Sequence, residues 1–91
     1  MVQSEAEIVN RLGLHARAAA KLVHLAGRFE SDITVAKDGE EVDAKSILGI
    51  LLLAAAQGAT VTVRCDGADE ETAHAAVIGL IANGFEEDTG Q

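Results

Sequence analysis

The sequence predicts an α/β open-faced sandwich with the element order βαββαβα in a single domain, residues 1–91. Three observations predict this fold class. Apolar and polar residues alternate in four segments, as in half-buried strands. Apolar residues recur at helical spacing in the segments that follow the first, third and fourth of these. The dipeptide Asp38-Gly39 is a strong signal for a two-residue hairpin turn.

The first half of the chain predicts a strand, a loop and a helix. Residues 2–9 alternate with period two and predict the first strand, and residues 10–14 form a loop. A helix is predicted from residue 16 to about residue 26, where Gly27 ends it. Its predicted inward stripe is Ala19, Leu22, Val23 and Ala26.

The second half predicts a hairpin, a helix, a strand and a helix. Residues 32–37 and 40–43 flank the hairpin turn as strands two and three. Ser46 precedes a helix over residues 47–56 that Gly58 stops, and residues 60–65 form strand four. Asp69 is expected to cap the last helix, and residues 86–91 are a polar tail. The inward stripe predicted for that helix is Ala73, Ala76, Val77, Leu80, Ile81 and Gly84.

The charge distribution is uneven. The chain has 7 cations and 15 acids, a net charge of −8, which argues against nucleic acid as a partner. Residues 10–29 hold four of the cations and no acid, so the other three cations and all 15 acids lie elsewhere. This basic segment predicts phosphate groups and acidic protein faces as partners.

The composition also bounds the class of protein. No signal-peptide pattern is present, and the longest uncharged apolar run, residues 47–56, is far shorter than the ~20 residues of a membrane span. We therefore expect a cytoplasmic protein with no membrane insertion. The single Cys65 cannot form an internal disulfide. Neither His24 nor His74 has a histidine or cysteine partner at metal-ligand spacing, so we expect no metal site and no cofactor.

The stretch from Gly13 to Lys21 places His15 where a loop turns into an Ala-rich helix. Free N–H groups in the first helical turn, here those of Ala16, Arg17 and Ala18, favour an anion. The stretch resembles the active-site motif of HPr, the histidine-containing phosphocarrier family of the bacterial phosphoenolpyruvate-dependent phosphotransferase system. Ala18 stands where that family usually has proline, and it keeps an N–H that we expect to point toward the phosphoryl site.

A second motif is Lys45-Ser46 followed by an apolar helix. Ser46 is a good N-cap, and a helix this apolar cannot bury its whole circumference in a small domain. We therefore predict a partner-docking patch formed by Ile47, Leu48 and Leu51, to which Lys21 and Lys45 contribute positive charge. The motif resembles the second HPr signature, which implies that an ATP-dependent HPr kinase/phosphorylase phosphorylates Ser46.

The resemblance covers essentially the whole chain and implies an antiparallel sheet of order 1-4-2-3, whereas the sequence alone leaves a ferredoxin-like order open. It also implies that His15 accepts a phosphoryl group from phosphorylated enzyme I and passes it to an enzyme IIA domain, with Arg17 neutralising phosphoryl charge. Such a protein is a carrier and not an autonomous enzyme, and we expect a monomer.

Three alternatives stay open. One is a nitrogen-type phosphorelay, since residues 83–88 resemble the ends of NPr proteins. Another is a non-transferring module whose Ser46 and apolar patch, residues 47–51, bind a regulator. The third is a plain ferredoxin-like ligand-binding domain. His15 separates them, because a module without a transfer role does not need this nucleophile at a cationic helix start.

Overall fold

The computed structural model describes residues 1–87 and has the predicted element order. A 3-10 turn, Gly84–Glu86, follows the last helix and is called here the C-terminal turn. The strands and helices in chain order are β1 (Val2–Glu7), α1 (Ala16–Ala26), β2 (Asp32–Lys37), β3 (Glu40–Asp43), α2 (Ile47–Leu53), β4 (Thr60–Asp66) and α3 (Glu70–Ala82).

The four strands form one antiparallel sheet in the order β1-β4-β2-β3. This confirms the strand order that the family resemblance implies. Cys65 of β4 lies between Val2 of β1 and Ile33 of β2. The strands β4 and β2 are therefore central, and β1 and β3 form the two edges of the sheet. The hairpin between β2 and β3 turns at Asp38 and Gly39, whose φ angles of 52° and 85° are the pair of positive values that a type I′ turn requires.

The core lies between one face of the sheet and the inner sides of the helices. In α1 the fully buried residues are Ala18, Ala19, Leu22 and Ala26, whereas Val23, predicted to face inward, is only half-buried. In α3 they are Ala73, Val77 and Ile81. Within residues 1–87, no helix has the length and apolar character that crossing a membrane requires.

The helix α2 is shorter than the sequence predicts. It ends at Leu53 because Ala54 adopts a left-handed conformation, with φ 51°, and donates its N–H to the carbonyl of Leu51. The carbonyl of Ala55 then accepts a bond from the Leu14 N–H at 2.9 Å. The chain thus leaves the helix at Ala54, and the segment after it pairs with the loop before α1, so the prediction that Gly58 stops the helix is wrong.

Asp69 precedes α3 but does not cap it. Its side chain makes no cap hydrogen bond. Instead its carboxylate accepts bonds from the Ser31 hydroxyl at 2.5 Å, the Ser31 N–H at 2.9 Å and the Glu30 N–H at 2.9 Å. Asp69 therefore joins the start of β2 to the start of α3, and its predicted capping role is wrong.

The end of the first strand differs from the sequence prediction, whereas the end of the first helix agrees with it. The strand β1 stops at Glu7, after which the Ile8 N–H donates to the carbonyl of Ala59. Gly27 follows α1 as predicted, but in a right-handed conformation with φ −65°. Of the predicted polar tail, Glu86 lies in the C-terminal turn, and residues 88–91 lie outside the described residues.

Candidate functional site

The loop before α1 holds His15 in place. Gly13 has φ 64°, and a Cβ built on it would lie 2.5 Å from the carbonyl oxygen of Ala55. Only glycine therefore permits this close approach. The neighbouring Leu14 is buried and donates its N–H to that same carbonyl. The loop is thus fastened to the segment that follows α2, and His15 begins the helix from a fixed position.

His15 is the N-cap residue of α1, and its ring is partly exposed. Its Nδ1 accepts a hydrogen bond from the Arg17 N–H at 3.3 Å. The first intrahelical bond runs from the Ala19 N–H to the His15 carbonyl at 2.8 Å, so the N–H groups of Ala16, Arg17 and Ala18 precede the helical hydrogen-bond series. These donors and the helix dipole give the Nδ1 side of the ring a field that favours an anion.

Arg17 lies on the exposed side of the first turn of α1. Within residues 1–87 its guanidinium forms no ion pair, so its positive charge is not neutralised by a neighbouring acid of that part of the chain. The side chain of Ala18, three residues after His15, is fully buried in the core. The structure therefore brings His15, Arg17 and the predicted phosphate-binding backbone together at one helix start.

Glu87 completes the surroundings of His15, although it was not predicted as a site residue. Its carboxylate oxygen Oε2 pairs with Nε2 of the His15 ring. Its other oxygen, Oε1, accepts from Asn10 Nδ2 at 3.0 Å. Burial raises the pKa of Glu87, but the bonds from Asn10 and His15 and the charges of His15 and Lys21 lower it by more, so the net pKa lies below its ordinary value. The group is therefore held as a carboxylate.

The C-terminal turn carries Glu87 to this place. Phe85 is fully buried, and Phe85 and Glu86 have successive positive φ angles of 58° and 63° that reverse the chain. Lys21 Nζ donates to the Phe85 carbonyl at 2.8 Å. The only sequence signal was the buried aromatic residue just before two acids, which does not by itself show where the chain turns.

The two lysines predicted for partner docking both make internal contacts. Lys21 holds the C-terminal turn, and Lys45 Nζ donates to the carbonyl of Phe29 at 2.8 Å. Both side chains remain partly exposed, so their positive charge is still present at the surface. Their role in docking stays a prediction.

Ser46 is the N-cap of α2, as the sequence predicts. Its hydroxyl oxygen accepts a hydrogen bond from the Gly49 N–H at 3.1 Å. No acidic residue lies in the first turn of α2, so added negative charge there meets a favourable helix dipole and no neighbouring acid of that turn. The position is partly exposed.

The outer side of α2 is apolar and exposed. Four side chains form what we call the α2 patch: Ile47, Leu48, Leu51 and Leu52, exposed by 44%, 65%, 36% and 69%. Ile50 and Leu53 point into the core. The sequence prediction missed Leu52, although it lies four residues after Leu48 and thus on the same side of the helix. It also missed Leu12, which is 61% exposed in the loop before His15.

The remaining nucleophilic and titratable side chains lie apart from this site. Cys65 is buried in the sheet, and burial, followed by the charges of Glu70 and Asp69, raises the pKa of its thiol. His24 is exposed on α1, and Nε2 of His74 is 2.7 Å from the Ser4 hydroxyl. In the part of the chain that the structure describes, residues 1–87, no group of three or more His, Cys, Asp or Glu is arranged to hold a metal ion.

Comparison with known proteins shows the family. The family model described as "PTS HPr component phosphorylation site" matches residues 2–83. A phosphocarrier protein HPr of Cupriavidus necator is 53% identical over 87 residues, which cover 96% of this chain and 98% of the relative.

Solved structures share the whole fold. HPr from Thermoanaerobacter tengcongensis superposes with a TM-score of 0.93 at 45% identity, covering 97% of this chain and 99% of that one. Crh from Bacillus subtilis gives a TM-score of 0.75 at 40% identity, covering 92% of this chain and 97% of that one, and its crystal structure is a dimer with a swapped domain.

Proposed function

The chain belongs to the HPr family and is a phosphoryl carrier of the phosphotransferase system, not an autonomous enzyme, and from this premise we propose that His15 carries the phosphoryl group. The observation that supports this assignment is the orientation of the ring. Its Nδ1 faces the N–H groups at the start of α1 and accepts a hydrogen bond from that of Arg17, so a phosphoryl group there would meet hydrogen-bond donors and a favourable dipole.

The proposed transfer needs only one bond to form and one to break. The lone pair of His15 Nδ1 attacks the phosphorus of phosphorylated enzyme I, and the bond from that phosphorus to its donor nitrogen breaks. A later acceptor, a histidine of an enzyme IIA domain, takes the same phosphoryl group from Nδ1. The protein is regenerated after each pair of transfers, which is the behaviour of a carrier.

The charge that develops on the phosphoryl oxygens would be stabilised from two sides. The guanidinium of Arg17 is exposed within the same helical turn and has no ion pair within residues 1–87, so it is available to an incoming anion. The N–H groups of Ala16, Arg17 and Ala18 would supply donors at the helix start, with the Arg17 N–H passing from Nδ1 to a phosphoryl oxygen as the bond to phosphorus forms. We propose that the Ala18 N–H, absent from relatives with proline there, is one of these donors.

We propose that partners dock on the α2 patch. The exposed fractions of its four side chains amount to about two fully exposed residues, and burying a large apolar side chain contributes about 1.5–3 kcal/mol. The charges of Lys21 and Lys45 would attract acidic faces of enzyme I and of enzyme IIA domains to this side of the molecule.

Ser46 is the proposed regulatory phosphorylation site, with a kinase of the HPr kinase/phosphorylase type as the partner. A phosphate there would lie at the start of α2, where it is compatible with the fold, and beside the α2 patch, where it would oppose docking of an acidic partner. Regulation would therefore act on the interface and leave the fold in place.

A second candidate is the nitrogen-type branch, in which the phosphorylation state reports metabolism without sugar uptake. The resemblance of residues 83–87 to the ends of NPr proteins favours it, and Glu87 of this segment contacts His15. Residue 88 of the resembling segment lies outside the described residues. We expect a cytoplasmic monomer in either branch, and size-exclusion chromatography of the free protein tests the monomer against a dimer of the kind that Crh forms.

The proposal is tested by mixing the pure protein with enzyme I and labelled phosphoenolpyruvate. We expect one acid-labile label on His15, and none in His15→Ala. His24→Ala is the matched control, because His24 is an exposed histidine of the same helix and should leave labelling unchanged. Label on the His15→Ala protein would show that another residue carries the phosphoryl group.

A further inference from the structure

The His15 ring is held at both of its nitrogens. Nδ1 accepts a hydrogen bond from the Arg17 N–H, and Nε2 faces the Glu87 carboxylate, which can accept a hydrogen bond but cannot donate one. The two contacts require the same tautomer, with Nδ1 bare and the proton on Nε2. Exposed fractions of 27% for the His15 side chain and 15% for that of Glu87 show that the pair is largely shielded from solvent.

We propose that Glu87 is a positioning residue for phosphoryl transfer, whose carboxylate keeps the ring proton of His15 on Nε2 and so keeps Nδ1, the attacking atom, unprotonated. This inference rests on the proposed function of His15. It adds a residue from the other end of the chain, 72 positions away, to the site.

Glu87 would act through the whole transfer cycle. When Nδ1 bonds to phosphorus, the ring keeps its Nε2 proton and becomes positively charged. The Glu87 carboxylate offsets that charge at short range. When the phosphoryl group leaves, the electron pair of the nitrogen–phosphorus bond returns to Nδ1, and the ring is neutral with its proton still on Nε2. No proton has to enter or leave the ring in either step.

Asn10 fixes the carboxylate in this arrangement. Its Nδ2 donates to the Gly13 carbonyl at 2.8 Å and to Glu87 Oε1 at 3.0 Å, and its side chain is fully buried. A flipped amide would place its oxygen against both acceptors, so the hydrogen-bond network settles its orientation. Asn10 therefore links the loop that precedes His15 to the residue that faces the ring.

The test compares Glu87→Ala with Glu86→Ala. Glu86 is the adjacent acid, exposed, and removing it changes the net charge equally without touching His15. Imidazole ¹⁵N chemical shifts at about pH 8.5, where an ordinary histidine is neutral, report which nitrogen holds the proton. We expect the ratio of Nε2–H to Nδ1–H ring to fall at least about threefold in Glu87→Ala, since a bond to a charged group is strong but partial exposure weakens it.

Transfer provides the second measurement. The rate of labelling by enzyme I should fall about threefold to tenfold in Glu87→Ala, because the positive ring is no longer compensated, and stay at the wild-type value in Glu86→Ala. Glu87→Gln keeps the side-chain shape and an acceptor oxygen without the charge, and should lie between wild type and Glu87→Ala. It replaces the alanine variant if that variant does not fold.

The outcomes distinguish the role of Glu87 from the proposed function of His15. An unlabelled wild-type protein would overturn the proposed function, while the ring proton could still be on Nε2. A labelled wild type whose tautomer ratio and transfer rate are unchanged in the Glu87 variants would overturn only the role of Glu87. A fall of equal size in Glu86→Ala would show that net charge acts on the site and would also overturn it.

Discussion

Replacing Ser46 with alanine and with aspartate separates helix capping from charge at the proposed docking site. Ser46→Ala removes the acceptor of the Gly49 N–H, and loss of an N-cap costs about 1 kcal/mol. For a domain of this size, ~1 kcal/mol lowers Tm by about 4–8 °C. Ser46→Asp keeps an acceptor and adds a favourable charge at the start of a helix whose first turn holds no acid, so its Tm should equal or slightly exceed that of the wild type.

Docking should respond in the opposite way. Ser46→Asp places a negative charge beside the α2 patch, and we expect its Kd for enzyme I to rise at least about tenfold, which corresponds to ~1.4 kcal/mol. Ser46→Ala should bind nearly as the wild type does. Thr72→Asp is the matched control, because it adds the same charge to the exposed first turn of a different helix, α3.

Thermal unfolding and titration calorimetry with enzyme I measure the two effects on the same samples. Binding of Ser46→Asp as tight as that of the wild type would refute an effect of charge at residue 46 on docking. Such an effect is also refuted if the weaker binding of Ser46→Asp comes with a lowered Tm, since unfolding would then account for it.

Three further outcomes follow from the structure. Arg17→Ala should slow transfer to His15 about tenfold at unchanged Tm, because a charge-assisted contact to phosphate is worth about 1.5–3 kcal/mol. Arg28→Ala is the control, and equal transfer rates for the two variants would contradict the role of Arg17. Gly13→Ala should destabilise the protein by at least about 1–2 kcal/mol in urea unfolding, since its Cβ would lie 2.5 Å from a carbonyl oxygen; a wild-type midpoint would contradict the fixed loop. The pKa of Asp69 is lowered, first by the Ser31 hydroxyl and then by the Glu30 N–H, so its stabilisation is present at neutral pH and is lost as the pH falls through the lowered value. In Asp69→Asn the Tm should therefore fall less steeply as the pH is lowered. An unchanged acid dependence of the Tm would argue against this stabilisation by Asp69.

The sequence was sufficient where local rules decide the outcome. Period-two alternation placed the strands within one or two residues, and the Asp38-Gly39 pair placed the hairpin, because both signals act between near neighbours. Ser46 could be recognised as a cap for the same reason. The sheet order needed the family resemblance, since alternation does not say which strands are neighbours.

Contacts between distant segments could not be predicted. The early end of α2 depends on a left-handed alanine, Ala54, and on the bond between Leu14 and Ala55. Alanine disfavours that conformation, and the loop contact that accompanies it lies too far away in the sequence to be predicted. Asp69 looked like a cap because it precedes a helix, but Ser31, 38 residues away, supplies better donors.

Glu87 shows the same limit at the candidate site. Two successive non-glycine residues with positive φ bring it to His15, and sequence rules disfavour that backbone. The buried ring of Phe85 and the bond from Lys21 hold the turn, and neither can be read from its neighbours in the chain.

The uncovered α2 patch also bears on how concentrated the protein can become. An exposed apolar face of this kind promotes self-association when no partner covers it. The net charge of −8 opposes that tendency, since copies of the chain repel one another before their patches can meet. The acidic remainder of the surface thus serves colloidal stability, and the carrier can stay dispersed between encounters while keeping a face that is ready to bind.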